Sequence, residues 1–403
     1  MKILVISSYL PYPLFNGGHV RLYNLIRELS QKHEITLICE KRPFQKDADI
    51  DEVKKICKDV ITVDRGKQWS ISNVLKAGFS TNSFLVTGHT SVALQKKIQE
   101  TLDKEKFDFI HVETYYVMQN LPKTDVPVVL VEHNIEYQVY ERFMERSPII
   151  VRSLLQIDIS KIKKEEETFW KNASTLVAVS REDQEIMSKA GLTPHLVSNG
   201  VNTHVFTFQP LTFDKNSTKK ILFIGDFKWI QNQDTVKFII KEIWPKIQEL
   251  RKQNGELGEM KLWIVGRTIP HGVRTLTKDP DVIFDEASSS LSTEKIFHQA
   301  AVLLAPIRVG GGTSYKILES MSSGTPVVTM KLSADAIDAK DGENIVVGAT
   351  ADILAQKTVD LLTDQNLYKT ITKNGRDLIG KNYTWAEIGK KLEEVYTVTL
   401  NKK

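Results

Sequence analysis

At 403 residues the chain is too long for one ordinary domain and suits two. A content of 41% hydrophobic and 26% charged residues excludes a disordered chain. The formal net charge is +4 with acids and bases interleaved. That is too weak a bias for a nucleic-acid partner, but it suits an anionic small ligand or an anionic membrane surface.

Two cysteines, Cys39 and Cys57, lie outside any Cys-x-x-Cys pair or histidine cluster. They read as free thiols in a reducing compartment, not as a disulfide or a metal site. Met1-Lys2 followed by Ile3-Leu4-Val5-Ile6 is too short an apolar run for a signal peptide. No uncharged apolar stretch approaches the roughly eighteen residues of a membrane span. The expectation is a cytoplasmic protein, with peripheral placement at the inner face of the membrane left open.

Lys2 to Ser8 reads as a buried parallel strand. A loop rich in Pro, Asn and Gly follows to Gly18. A helix is then expected from about His19 to Lys32, with Val20, Leu22, Leu25, Ile26 and Leu29 near helical spacing. Further strands are expected at 33–39, 60–63, 109–113, 128–132, 175–179 and 195–198, mostly separated by helical patterns. This alternation is that of a doubly wound α/β domain. The polar stretch 213–219 interrupts it, and it restarts with strands at 220–225, 262–266, 282–284, 302–305, 327–329 and 344–347. The domains are placed at 1–205 and 206–384, with a last helix, 385–403, packing back toward the first domain. Residues 149–172 read as a charged helix with Val151, Leu154, Leu155, Ile159 and Ile162 on one face. Its balanced charges favour an ordinary packed helix over a membrane-lying one. Trp69, Phe79 and Phe84 are taken first as core.

The chemistry concentrates in Ala305-Pro306-Ile307-Arg308-Val309-Gly310-Gly311-Gly312-Thr313-Ser314-Tyr315-Lys316-Ile317-Leu318-Glu319. A strand ends at Ala305, a Gly-rich loop follows, and a helix begins near Thr313. Three glycines let backbone N–H groups approach an anion, and the helix N-terminus adds partial positive charge. Lys316 can reach a phosphate, and Glu319, on the same helix face, can bind the vicinal hydroxyls of a ribose. Together they point to a nucleoside diphosphate.

This stretch resembles the donor-site motif of glycosyltransferase family 4, retaining enzymes with two Rossmann-like domains facing across a cleft (the GT-B type). Other blocks agree in order: Gly17-Gly18 with Arg21 and Asn24; Val131-Glu132-His133-Asn134-Ile135-Glu136-Tyr137; Val179-Ser180-Arg181-Glu182-Asp183; Ser198-Asn199-Gly200-Val201-Asn202; Phe223-Ile224-Gly225; and Ile264-Val265-Gly266-Arg267. Two positions depart from the pattern. Gly311 stands where many members carry a first glutamate that touches the donor sugar, so backbone N–H groups of Gly311, Gly312 and Thr313 are expected to serve instead, beside Gly310 and Ser314. Asp226 and Gln231 stand where an Arg and a Lys are frequent. Lys316, Arg267, Arg308 and Lys228 are then the candidate cations for the pyrophosphate, near Gly225.

His133, which is either a structural histidine or an active-site one, follows an apolar strand, where open sheets place ligand groups, and the resemblance implies the active-site role, because the family has a functional His near this place that contacts the donor sugar. Glu132, Glu136 and Asn134 are either acceptor-binding groups or helix-start residues. Gly17-Gly18, with Arg21, is either a turn or a cradle for a phosphate or an acceptor. The resemblance implies transfer from a UDP- or GDP-linked sugar to a glycan or lipid-linked acceptor, with retention and without a protein nucleophile. No cofactor is expected beyond that co-substrate, and no metal, because no Asp-x-Asp strand end demands one. The rival readings are an epimerase or hydrolase on the same fold and an inert carbohydrate-binding protein.

Overall fold

The computed structural model describes residues 1–401 apart from 67, 69, 146, 213–216, 254–257, 287–291 and 309–312. The chain forms two compact units. One is Met1–Ser198 completed by Ile388–Lys403, and the other is Asn199–Glu387.

In the first unit seven strands make one parallel sheet: β1 (Lys2–Ser7), β2 (Glu34–Lys41), β3 (Asp59–Asp64), β4 (Phe109–Glu113), β5 (Val128–Glu132), β6 (Thr175–Ala178) and β7 (His195–Leu196). Their order is β3-β2-β1-β4-β5-β6-β7. Helices cover the sheet, so its central strands are apolar on both faces. Ile3, Leu4, Ile6, Ile110, Val112, Leu130 and Val131 are all buried. Each such side chain contributes about 1.5–3 kcal/mol on burial. Strand order reverses between β1 and β4, the switch point where open sheets bind ligands beyond their carboxyl ends.

The second unit repeats the plan with β8 (Lys219–Asp226), β9 (Met260–Arg267), β10 (Val282–Glu286), β11 (Val302–Ala305), β12 (Val327–Thr329) and β13 (Val346–Val347). These are ordered β10-β9-β8-β11-β12-β13, all parallel. Its switch point lies between β8 and β11. The core gathers Phe223, Phe227, Ile239, Ile243, Trp244, Leu262, Ile264 and Leu304.

Several boundaries move. The first helix runs Gly17–Leu29 rather than from His19. The Asn16 side chain caps it by accepting from His19 N, so the glycine pair forms its first turn and not a loop. Residues 199–205, expected in the first domain, fall in the second unit. The carbonyls of Phe206 and Thr207 just beyond them accept from Ser322 Oγ and His298 Nε2, which ties this stretch to the second unit. The last helix, Trp385–Asn401, supplies the first unit from Ile388 onward.

The helix Ile149–Asn172 has the expected bounds, but most apolar residues of its first two turns stand exposed. Ile159 and Ile162 are buried, whereas Ile150 is 87% exposed and Leu154 72% exposed. Phe79 is 91% exposed, so it is surface and not core; Phe84 is half-buried, and Trp69 lies outside the described residues. Cys39 and Cys57 are free thiols. Among the described residues, no helix is long and apolar enough to cross a membrane.

Candidate active site

In the second unit the site grows from the carboxyl edge of β8. Gly225 faces Asn232, and a Cβ built on Gly225 would lie 2.8 Å from the Asn232 carboxamide. Asn232 donates to Asp226 O at 2.7 Å and accepts from Lys316 Nζ at 2.8 Å. Lys316 also stands 4.3 Å from the centre of the Phe223 ring. It rises from the first turn of the helix Tyr315–Ser323, which follows β11. Ser314 occupies the N-cap, but its side chain makes no capping bond, so the first-turn N–H groups carry no side-chain cap.

Burial pulls the Lys316 ammonium down to about 7, with Glu319 opposing. Burial pushes the Glu319 carboxyl up to about 8, with Lys316 opposing. A cation and a carboxyl on one helix face are thus both drawn toward neutrality by burial.

The other candidate residues of this unit are placed unevenly. Thr313 is buried, its carbonyl accepting from Asn199 Nδ2. Arg267 stands at the end of β9 with NH2 3.6 Å from Asp226 Oδ2. Lys228 is exposed at the β8 edge, its backbone N–H bonded to Asp226 Oδ1. Arg308 is exposed and stacks over the Phe238 ring at 4.3 Å. Gly310, Gly311 and Gly312 lie outside the described residues. Asn232 escaped the sequence reading; its signal was an amide one turn into the helix after the β8 glycine.

In the first unit His133 follows β5 directly, and its Nε2 bonds the carboxylate of Glu113 at the end of β4. A Cβ on Gly18 would lie 3.4 Å from His133 Nδ1 and 3.0 Å from the Tyr9 hydroxyl. Gly18 and His133 therefore meet at the carboxyl edge of the sheet, and the missing side chain leaves the approach to the imidazole open. Gly17 begins the same turn, and Asn134 is exposed beside His133.

Arg21 and Glu132 are held by other buried partners. Arg21 is buried and donates to the carbonyls of Ser198 at 2.8 Å and Val197 at 2.7 Å, which fastens the end of the sheet to the first helix. Glu132 is buried, accepting from Trp170 Nε1 and Tyr115 N. Burial, with Glu166 adding to it, pushes its carboxyl well up, so it is an internal acid and not a hydroxyl-binding one. Glu136 begins the next helix, where the carboxylate of Glu166 accepts from Glu136 N and Tyr137 N. No group of acids, histidines or cysteines suited to a metal occurs among the described residues.

Residues 15–205 match the family model described as Glycosyltransferase Family 4, and residues 218–364 match that of Glycosyl transferases group 1. The chain belongs to glycosyltransferase family 4. This glycosyltransferase is 21% identical over 396 residues to a Klebsiella pneumoniae protein described as an uncharacterized 44.6 kDa protein in the cps region, covering 95% of this chain and 96% of that one. Its fold is shared with sucrose-phosphate synthase from Thermosynechococcus elongatus, at a TM-score of 0.70, 14% identity and full coverage of both chains. HepE of Anabaena, solved with UDP and glucose, has a TM-score of 0.61 and 15% identity over 99% of this chain and 100% of that one. TarM of S. aureus, solved as a point mutant with Fondaparinux, alpha-GlcNAc-glycerol and UDP, has a TM-score of 0.65 and 11% identity over 98% and 100%.

Proposed function

We propose that this glycosyltransferase takes a sugar from a UDP- or GDP-linked donor and delivers it, with retention, to a glycan or lipid-linked glycan. The observation that carries the reading is the Lys316–Asn232 contact beside Glu319 at the uncapped start of a helix. In this reading the helix N-terminus and Lys316 receive the diphosphate, and Glu319 receives the ribose. Lys228, Arg267 and Arg308 are the further cations on that side, with Gly310, Gly311, Gly312, Thr313 and Ser314 supplying backbone approach. His133, at the Gly17–Gly18 turn, receives a sugar hydroxyl. Catalysis then rests on orientation and on stabilising charge at the leaving diphosphate. The bound complexes of HepE and TarM support a UDP-linked donor first.

The test offers UDP- and GDP-sugars with oligosaccharide and lipid-linked acceptors and reads the new anomeric centre by NMR. The expected product keeps the donor's configuration. An inverted product overturns retention. Donor hydrolysis or epimerisation that is indifferent to every acceptor overturns transfer.

The acceptor side carries a second observation. Phe79, Ile149, Ile150, Leu154, Ile157 and Phe143 are exposed on three neighbouring helices of the first unit. Lys161 ties two of these helices together by donating to Ala77 O and Ser80 O. Arg152 and Lys76 are exposed on two of the same helices. Apolar side chains with cations beside them suit an anionic bilayer surface, where a lipid-linked acceptor would reside. Wild-type protein is expected to float with anionic lipid vesicles, and an Ile150→Asp, Leu154→Asp double variant to stay behind. Flotation equal for both proteins, or for neither, overturns this contact.

A further inference from the structure

Three buried groups stand in a line behind His133. His111 and Glu113 lie two apart on β4, on one face of the strand, and both are buried. Glu113 Oε1 is 2.9 Å from His111 Nε2, and Glu113 Oε2 bonds His133 Nε2. The Tyr396 hydroxyl is 2.7 Å from His111 Nδ1, contributed by a helix 285 residues further along the chain.

The protons of this line follow from its chemistry. A carboxylate only accepts, so both Nε2 atoms donate to Glu113. An imidazole with its one proton on Nε2 carries its lone pair on Nδ1, where His111 accepts from Tyr396. Burial, with the Glu113 charge adding to it, pushes the Tyr396 phenol well up, so it keeps its proton and donates. Burial opposes ionisation of Glu113, but its contacts with His133 and His111 outweigh it and hold the carboxyl well below the ordinary range, and the hydrogen bonds among those contacts persist when both imidazoles are neutral. Every donor and acceptor in the line is matched. Thr114, the next residue, sits at φ 73, a conformation that β-branched residues avoid. The turn that carries Glu113 into place is thus held by its surroundings.

We propose that Glu113, steadied by His111 and Tyr396, is a positioning residue that fixes His133 as its Nε2–H tautomer and presents Nδ1 at the Gly18 turn as an acceptor for a substrate hydroxyl. The proposal rests on the functional reading above for its substrate and on the hydrogen-bond line alone for the tautomer. Of the other charged groups near this line, Arg21 lies near Tyr396, and it is buried with its guanidinium on the Val197 and Ser198 carbonyls.

The decisive variant is Glu113→Gln. A glutamine offers one oxygen acceptor and one NH2 donor. It can accept from only one of the two imidazoles, so the other must invert. Loss of a carboxylate behind a histidine costs about 10- to 100-fold at metal-bound histidines and about 10⁴-fold in serine-protease triads. We expect kcat to fall at least about 10-fold, with little change in KM for the donor. Nitrogen NMR of the labelled imidazoles should show His133 Nδ1 unprotonated in the wild type and a mixed or inverted tautomer in the variant. Tyr396→Phe should lower kcat less, in the same direction.

Wild-type kcat and a wild-type nitrogen signature in Glu113→Gln would overturn the proposal. Thermal unfolding and amide NMR signals from the first unit, which holds Glu113 and Tyr396, report whether each variant is folded. If Glu113→Gln fails to fold, Tyr396→Phe decides on the same two readings. A wild type that shows the tautomer but transfers to no acceptor sinks the functional reading and leaves the positioning role intact.

Discussion

Lys316→Ala is expected to weaken nucleoside diphosphate binding by roughly 10- to 150-fold, the range of one charge-assisted hydrogen bond at about 1.5–3 kcal/mol. The wild-type affinity should also fall as pH rises. Burial has drawn the free lysine down to about 7, so below that value it meets the diphosphate as an ammonium, and above it as an amine. A bound diphosphate favours the ammonium, so binding above pH 7 should take up a proton. The ligand's own terminal phosphate has its second pKa near about 6 and is already ionised there, which leaves the uptake to the protein. Calorimetry in buffers of different ionisation enthalpy reads this directly. No proton uptake at pH 8, together with pH-independent affinity, would remove Lys316 from the phosphate. Glu319 adds a companion test. Its carboxyl is pushed up to about 8 by burial, so near neutrality it keeps a proton. Glu319→Gln preserves both a donor and an acceptor and should bind within a few-fold of wild type at pH 7. Glu319→Ala should bind about tenfold or more weaker.

The second large effect lies in the sheet beneath that site. Gly266→Ala should destabilise the second unit by about 3 kcal/mol, the upper end of the overpacking range. Gly225 and Gly266 are paired residues on β8 and β9. A Cβ on Gly266 would stand 2.1 Å from Gly225 O and 2.6 Å from the Phe227 ring. Neither neighbour can swing away, because one is backbone inside the ladder and the other is a buried ring. Relief requires moving the end of β8, which carries Asp226 and, through it, the Asn232–Lys316 contact. Thermal unfolding of Gly266→Ala, compared with Gly272→Ala, checks this. Gly272 has nothing within 4 Å of its Cβ position, so its change should stay within about 0.5 kcal/mol. Equal melting curves for the two variants would refute the packing account.

Buried parallel strands write themselves plainly in a sequence, because both faces are apolar and the run is short. All thirteen described strands fall on apolar runs visible in the sequence, within two or three residues at their ends. The places of Lys316 and Glu319 on the helix after β11, of His133 after β5 and of Gly18 in the first turn of the first helix are likewise legible, since strand ends and helix starts follow from local pattern. Other residues are not. Arg21 reads as a cation beside a glycine pair, yet it is held by two carbonyls some 176 residues away in the chain. Glu132 and Glu113 both end apolar strands and look alike in the sequence, but one is sealed beneath Trp170 and the other touches two imidazoles. Periodicity reports which face of an element is apolar, and not whether another element covers it. That is why the first two turns of the helix Ile149–Asn172 read as packed and stand largely exposed.

The last helix changes the order in which this chain can be finished. The second unit is a continuous stretch, Asn199–Glu387, and holds all its own residues as soon as that stretch has been made. The first unit waits for Ile388 and beyond, including the wholly buried Tyr396. Vectorial synthesis ordinarily lets the leading domain fold first. Here the first unit must remain without its closing piece while the second settles, so of the two units the one begun earlier is completed later.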